Sequence, residues 1–163
     1  MLTLPTHIVP GDMAAKLQAI KAAGFEAIDL SLTDIAQFDG TLADLSAMVS
    51  GADLKIASVG PLDAGVNPAQ LEAKVALAKE LGSDLLILDV ADAARLPENL
   101  DLLDAVRIAL RPTRSAEDAV LDYVAKTAQA SIGLAYNSFH ALGDGSRPAR
   151  LRDLDGASVF HVS

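Results

Sequence analysis

The chain of 163 residues carries a formal net charge of −9, has no cysteine, and is 51% hydrophobic. This composition indicates one packed domain over residues 1–163 and excludes disulfides and thiolate metal sites. The acidic balance argues against nucleic acid as a partner, because binding to phosphates depends on Lys and Arg. No apolar run reaches the ~20 residues of a membrane span, and no signal peptide is recognised. We therefore expect a cytoplasmic protein with no membrane partner.

The first part of the chain alternates helical and apolar stretches. A weak strand is predicted at residues 7–9, and a helix follows over residues 13–23, capped by Asp12 and ended by Gly24. Residues 26–32 form the next apolar stretch. The pattern predicts a strand, a helix and a second strand in that order.

Two further units repeat this order. Thr41 is predicted to cap a helix that ends near Gly51, and residues 54–59 then predict a strand. Asn67, followed by a proline, begins another helix. Residues 85–90 form a continuous apolar run, which is typical of a strand buried on both faces.

The last third continues the alternation. Residues 105–110 predict a strand ended by Pro112, and Ser115 is predicted to cap the next helix, with Asp118 completing a capping box. The remaining elements are strands at residues 131–136 and 157–162 and short helices within residues 97–105 and 147–154. Helices alternating with buried strands indicate right-handed crossovers and a parallel sheet of about seven strands.

The stretch LAYNSFHALGDG, residues 134–145, ends a predicted strand on polar groups. Asn137 and His140 follow the apolar run directly. One interpretation is that both side chains bond to backbone in the turn before Gly143. The other is that they belong to a site at the end of the strand.

Four stretches resemble motifs of the xylose-isomerase-like barrels. This group contains sugar-phosphate isomerases and epimerases, hydroxypyruvate isomerases and metal-dependent dehydroshikimate dehydratases. The stretches are AIKAAGFEAIDLSLTDIAQFDG at 19–40, ALRPT at 109–113, YNSFHAL at 136–142 and VFHVS at 159–163. The FDG at residues 38–40 is most similar to the dehydratase branch, and the ordered series spans nearly the whole chain.

The resemblance implies an α/β fold, a parallel (β/α) barrel of the TIM type. An eight-stranded barrel usually needs about 200 residues or more, so we expect an incomplete barrel of about seven strands. An open barrel exposes strand edges and apolar surface that a soluble protein must cover. We therefore expect a homodimer, or a partner subunit that covers the gap.

The resemblance also implies a site at the carboxyl ends of the strands, where the family holds a divalent metal, Mn or Mg. Arg111 stands at the position of the fifth-strand glutamate, Asn137 at that of the sixth-strand aspartate, and His161 matches the seventh-strand histidine. The last glutamate of the family would follow Ser163. Since Arg has no lone pair to give and Asn is a weaker ligand than a carboxylate, we expect impaired or absent metal catalysis, with His161 as the remaining candidate ligand.

Two functional hypotheses follow. The first is an isomerase, epimerase or lyase acting on a small sugar or polyol acid. Its candidate catalytic residues are His140 and Asn137, and its candidate substrate-binding residues are Arg111, His7 and Asp29. The second is a non-catalytic descendant that binds a small anionic metabolite or serves as an assembly subunit.

Each candidate also has a purely structural interpretation. Arg111 is expected to pair with Asp89 or Asp29 at neighbouring strand ends. Asp29 is interpreted as a helix cap or a solvated loop carboxylate. His7 is interpreted as a core or surface histidine, and His161 as a frayed residue near the end of the chain.

Overall fold

The computed structural model describes residues 3–92, 94, 96, 106–127, 130–136 and 156–162. Within them, seven parallel strands form one sheet whose spatial order follows the chain. The strands are β1 (Thr3–Pro5), β2 (Ala27–Ser31), β3 (Lys55–Asp63), β4 (Leu85–Val90), β5 (Arg107–Pro112), β6 (Ile132–Tyr136) and β7 (Val159–Val162). The sheet curls into an incomplete barrel, which confirms the predicted fold class.

Helices connect the strands on the outer face of the sheet. They are α1 (Met13–Ala22), α2 (Leu32–Gln37), α3 (Leu42–Gly51), α4 (Pro68–Glu80) and α5 (Glu117–Thr127). The predicted caps Asp12, Thr41 and Asn67 are confirmed, because each side chain accepts a hydrogen bond from backbone in the first turn. In the described part of the chain, no helix combines the length and apolar character needed to cross a membrane.

The predicted first strand at residues 7–9 is wrong. The strand is β1, and Thr6–Ile8 form a 3-10 turn after it. Thr6 is fully buried and holds this turn, because its hydroxyl accepts from the backbone N–H of Ser31 at 3.1 Å and donates to Asp34 at 2.5 Å. These contacts join parts of the chain that lie far apart in the sequence, so no local sequence pattern predicts them.

The start of α5 also differs from the prediction. Ser115 lies in a 3-10 turn, Arg114–Ala116, and its hydroxyl donates to the carbonyl oxygen of Ala91 at 3.1 Å rather than capping the helix. Strand β5 extends to Pro112, two residues beyond the predicted end. The short helices predicted within residues 97–105 and 147–154 lie outside the described residues.

Helix α2 was not predicted. Ser31 caps it by accepting a hydrogen bond from the N–H of Thr33 at 3.2 Å. The helix has six residues, and a segment of that length shows too little of the 3.6-residue period to be recognised.

Alternation along the strands divides the apolar side chains between two cores. Leu86, Leu88 and their counterparts on other strands pack with the helices in the larger core. The inner face of the sheet holds a smaller cluster, which consists of Leu85, Ile87, Ala109 and Ala135 with Phe160 packed against it. This alternation also decides which polar side chains face the inside of the barrel.

Gly133 on β6 makes room for β7. A Cβ at this position would lie 2.7 Å from the carbonyl oxygen of Ser158 and 2.8 Å from ring atoms of Phe160. Glycine is therefore required for the close approach of the last strand.

Candidate functional site

Polar side chains meet on the inner face of the sheet where the strands end. Along β4, Asp89 follows the inner-facing Leu85 and Ile87, and along β5, Arg111 follows the inner-facing Ala109. Both are at the carboxyl ends of their strands, where (β/α) barrels carry their active sites. We call this end of the barrel the mouth.

Asp29 on β2 is a buried carboxylate with 8% of its surface exposed. The hydroxyl of Ser58 donates to Oδ1 at 2.8 Å, and the hydroxyl of Thr3 donates to Oδ2 at 3.2 Å. Ser58 is within reach because it is the register partner of Asp29 on β3. The interpretation of Asp29 as a helix cap or solvated loop residue is therefore wrong.

His161 contacts Asp29 across the barrel, although β7 and β2 are not neighbours in the sheet. Its Nε2 lies 3.1 Å from Oδ2 of Asp29, and only 9% of its side chain is exposed. The interpretation of His161 as a frayed residue is wrong, since it pairs with Ala135 within the sheet. The approach to Asp29 lies outside hydrogen-bond geometry, so among the described residues the buried Nε2 has no hydrogen-bond partner.

Arg111 forms a two-pronged ion pair with Asp89. Its Nε donates to Oδ1 at 2.6 Å, and its Nη2 donates to Oδ2 at 2.9 Å. The two residues are register partners on neighbouring strands, which places the fork of the guanidinium opposite the carboxylate. The predicted ion pair is confirmed with Asp89 as the partner.

His7 reaches the mouth from the turn after β1 and is exposed. The turn is fixed by Asp34, which accepts a hydrogen bond from Thr6 and one from Lys16 Nζ at 2.6 Å. Asp34 is 7% exposed, so its carboxylate lies inside the fold. Sequence reasoning missed the buried role of Lys16, because its partner lies on another helix.

These side chains enclose a small cavity in the mouth. His7, Asp29, Arg111 and His161 line it, together with backbone and apolar groups that include Ile87. Its volume is about 20 Å³, which is the space of about one water molecule. The cavity therefore has room for a single oxygen atom.

The predicted catalytic residues Asn137 and His140 lie outside the described residues, and their roles stay predictions. Tyr136, directly before them, has a buried hydroxyl with no hydrogen-bond partner in the described part of the chain. Burial raises the pKa of Tyr136, and the negative charge of Glu117 adds to this effect. Tyr136 is therefore neutral at physiological pH.

The described residues do not fit the divalent metal that the fold family implies. They contain no group of three acidic or histidine side chains that could hold a metal ion. Asp29 and His161 form a pair, but the guanidinium of Arg111 lines the same cavity and would repel a cation. His161 as a metal ligand stays a prediction, and no reaction step is assigned to a metal here.

A larger cavity, of about 370 Å³, lies outside the mouth. It is next to the start of α1, and its lining includes Asp12, Lys16, Asp34 and Phe38. The carboxylate of Asp34 and the ammonium group of Lys16 already pair with each other there. This cavity includes none of the candidate site residues.

Known proteins with similar sequences are dehydroshikimate dehydratases. A 3-dehydroshikimate dehydratase of Pseudomonas aeruginosa is 30% identical over 98% of this chain, and the match covers 30% of that protein. A dehydratase of the same name from Pseudomonas putida is 25% identical, with 29% of its length covered. The chain thus spans less than a third of the curated relatives it matches. No family model matches the sequence.

Solved structures share the fold at lower identity. A fusion of a xylose isomerase-like TIM barrel with a 4-hydroxyphenylpyruvate dioxygenase superimposes with a TM-score of 0.85 at 24% identity, over 98% of this chain and 30% of that one. The IOLI protein, whose structure has a zinc atom bound, gives a TM-score of 0.81 at 16% identity, over 99% and 72% of the two chains. These matches agree with the incomplete parallel barrel and with the motifs in the sequence, and the fold of the chain is that of a xylose isomerase-like TIM barrel.

Proposed function

We propose that the chain is an isomerase or lyase that acts on a small sugar or polyol acid at the mouth of the barrel. The observation that carries the proposal is the convergence of Asp29, Arg111 and His161 on one cavity at the carboxyl ends of the strands. The similarity to 3-dehydroshikimate dehydratases supports a lyase acting on a hydroxylated cyclic acid.

The mouth offers complementary groups for such a ligand. The carboxylate of Asp29 accepts hydrogen bonds from ligand hydroxyls, and the guanidinium of Arg111 donates to a carboxylate or carbonyl oxygen. Ile87 supplies apolar contact to the carbon skeleton. Asn137 and His140, which follow β6 in the sequence, are proposed to contact the reacting atoms.

A second candidate is a non-catalytic protein that binds a small anionic metabolite or serves as an assembly subunit. The specific observation in its favour is the ion pair of Arg111 with Asp89, which places a fixed positive charge in the mouth. A binding protein needs this charge and no metal.

Turnover and binding assays separate the two candidates. Purified protein is incubated with 3-dehydroshikimate and with a panel of sugar phosphates, with and without Mn²⁺ or Mg²⁺, and binding is measured by calorimetry. Turnover that is lost in His140→Ala supports the enzyme. Binding without turnover that weakens in Arg111→Gln supports the binding protein, and absence of both activities contradicts both candidates.

Arg107→Gln is the matched control for Arg111→Gln. Arg107 is on the same strand and also pairs with an aspartate, Asp84, at 3.0 Å. It lies at the opposite end of β5 and stacks on the ring of Phe160, with 5.1 Å between its Cζ and the ring centroid. Its substitution is therefore expected to leave ligand binding at the mouth unchanged.

We also propose that a second copy of the chain or a partner subunit covers the open edges of the barrel. In the described sheet, β1 and β7 each lack a neighbour on one side. Two large exposed hydrophobic residues lie next to these edges: Ile8 after β1, with 58% exposed, and Val162 in β7, with 61% exposed. Burying both would remove apolar surface from water.

A further inference from the structure

We propose that Arg111 is the resident cation of the mouth and takes the place of a divalent metal ion there. The inference rests on the positions of charged groups and does not depend on whether the chain converts a substrate. It accounts for the disagreement between the metal that the fold family implies and the residues that the mouth contains.

Two carboxylates and one guanidinium carry the charges in and next to the cavity. Asp29 lines it from β2, and Asp89 follows the cavity residue Ile87 on the inner face of β4. Asp29 is buried and the side chain of Asp89 is 38% exposed, and two carboxylates at one end of the barrel favour a positive charge nearby. Arg111 supplies that charge, and in the described mouth no lysine lines the cavity.

The guanidinium of Arg111 is held in a fixed position by its ion pair. Asp89 binds it through two parallel hydrogen bonds, to Nε at 2.6 Å and to Nη2 at 2.9 Å. This fork fixes both the position and the plane of the group. Among the described residues Arg111 makes no further hydrogen bond, so the N–H groups of Nη1 are left for a ligand oxygen.

The side chain of His161 also faces the cavity, with its Nε2 3.1 Å from Oδ2 of Asp29 but not in hydrogen-bond geometry with it. Its Nε2 is buried, lies in the cavity lining with Arg111, and has no hydrogen-bond partner in the described part of the chain. A nitrogen in this condition is costly to leave unpaired. The cavity of about 20 Å³ between these groups fits one oxygen atom, supplied by water or by the hydroxyl, carbonyl or carboxylate of a ligand.

Together these features describe a site that receives ligand oxygen without a metal. A divalent ion placed beside Asp29 and His161 would face the positive charge of Arg111. Without that charge, the pair of Asp29 and His161 would offer one oxygen and one nitrogen ligand of the kinds that Mn²⁺ and Zn²⁺ accept, with water completing the coordination. The wild-type chain is therefore expected to exclude the metal, and loss of the Arg111 charge is expected to admit it.

Calorimetric titration with Mn²⁺ and Zn²⁺ tests this directly. We compare the wild-type chain with Arg111→Gln, Arg111→Lys and the control Arg107→Gln, and circular dichroism confirms that each variant is folded. The expected result is no saturable binding by wild type, Arg111→Lys or Arg107→Gln at millimolar metal. Arg111→Gln is expected to bind one ion at least about tenfold more tightly than wild type, and Arg111→Gln/His161→Ala is expected to lose that gain.

Stoichiometric tight binding by the wild-type chain would overturn the proposal, whether or not any variant folds. A folded Arg111→Gln that gains no affinity for either metal would also overturn it. Neither result decides the proposed function, because turnover and metabolite binding are measured separately. Equally, an absence of turnover leaves the predicted metal affinities unchanged.

Discussion

Lys16 and Asp34 form an enclosed ion pair next to the mouth. Nζ and Oδ1 are 2.6 Å apart, and 12% and 7% of the two side chains are exposed. The other oxygen of Asp34 accepts from Thr6, so one carboxylate joins α1, α2 and the turn that carries His7. A buried charge left without its partner is strongly destabilising, because it is neither solvated nor paired.

We predict that Asp34→Ala lowers the free energy of unfolding by about 3 kcal/mol, since it leaves the Lys16 ammonium group buried and unpaired. Urea denaturation measures the change. The control is Asp53→Asn, which removes the exposed charge that pairs with Lys21, keeps a residue type that tolerates the positive φ of 54° at this position, and is expected to leave the unfolding midpoint unchanged. Equal midpoints for the two variants would contradict the structural role of Asp34.

Some features of the residues in the mouth can be predicted from the sequence, and others cannot. Asp29 and Ser31 alternate with the apolar Ile28 and Leu30, so their inward direction follows from the strand period. The hydroxyl of Ser58 that holds Asp29 is 29 residues away in sequence, and no local pattern predicts that pairing. The register of the sheet creates it.

At the scale of elements, the cap of α3 links stability to pH. The hydroxyl of Thr41 accepts from the backbone N–H of Asp44 at 3.1 Å, and Asp44 accepts in return from the backbone and hydroxyl of Thr41. These bonds lower the pKa of Asp44 from its ordinary 3.8, with the side-chain bond as the largest cause. A carboxyl group with a lowered pKa stabilises the fold above its unfolded pKa and loses that effect as the pH falls through the lowered value.

We therefore predict that Asp44→Asn is less stable than wild type at neutral pH, because the charged acceptor is lost. The difference in melting temperature is expected to shrink as the pH falls below the ordinary carboxyl pKa of 3.8. Melting curves of both proteins across this range check the prediction. A difference that stays constant from neutral to acidic pH would show that the ionised carboxylate does not contribute.

The position of β7 depends on glycine at residue 133, because any side chain there would clash with β7 and the turn before it. We predict that Gly133→Ala destabilises the protein by about 1–3 kcal/mol, as expected when a packed region is overfilled. The added methyl group would meet the backbone of Ser158 and the ring of Phe160, so β7 must shift and carry His161 away from Asp29. Denaturation gives the stability change, and the chemical shifts of the His161 ring, measured by NMR, report the displacement. An unchanged ring environment would contradict this account.

The elements themselves were largely predictable, because long strands and capped helices leave strong local patterns. The caps at Asp12, Thr41 and Asn67 and the continuous apolar run of β4 are examples. The first strand was misplaced, since β1 has three residues and its position is decided by pairing with β2. Ser115 failed as a predicted cap because a nearby carbonyl, that of Ala91, binds its hydroxyl.

At the scale of the whole molecule, the open edges of the sheet predict association. Sedimentation velocity of the wild-type chain is expected to show a dimer, or a complex when a partner subunit is present, because Ile8 and Val162 are exposed beside unpaired strands. The double variant Ile8→Lys/Val162→Lys is expected to shift the equilibrium to monomer, since two charges would be buried at each contact. A wild-type monomer at all micromolar concentrations would contradict the prediction.

The charge of Arg111 distinguishes the mouth of this barrel from the metal site that the resemblance implies. The mouth lies at the carboxyl ends of the strands, where (β/α) barrels carry their active sites, and a guanidinium held by Asp89 stands at the position of the fifth-strand glutamate that the resemblance implies. We therefore propose that Arg111 excludes a metal ion from a mouth that retains Asp29 and His161.

Anomalous X-ray diffraction tests this central claim most directly. Crystals of the wild-type chain and of Arg111→Gln would be grown in the same Mn²⁺ solution, and anomalous difference maps calculated for both. The account predicts a manganese peak beside Asp29 and His161 in Arg111→Gln and no peak in the wild-type mouth. A peak bound by His161 and Asp29 in the wild-type protein, with Arg111 displaced, would contradict it.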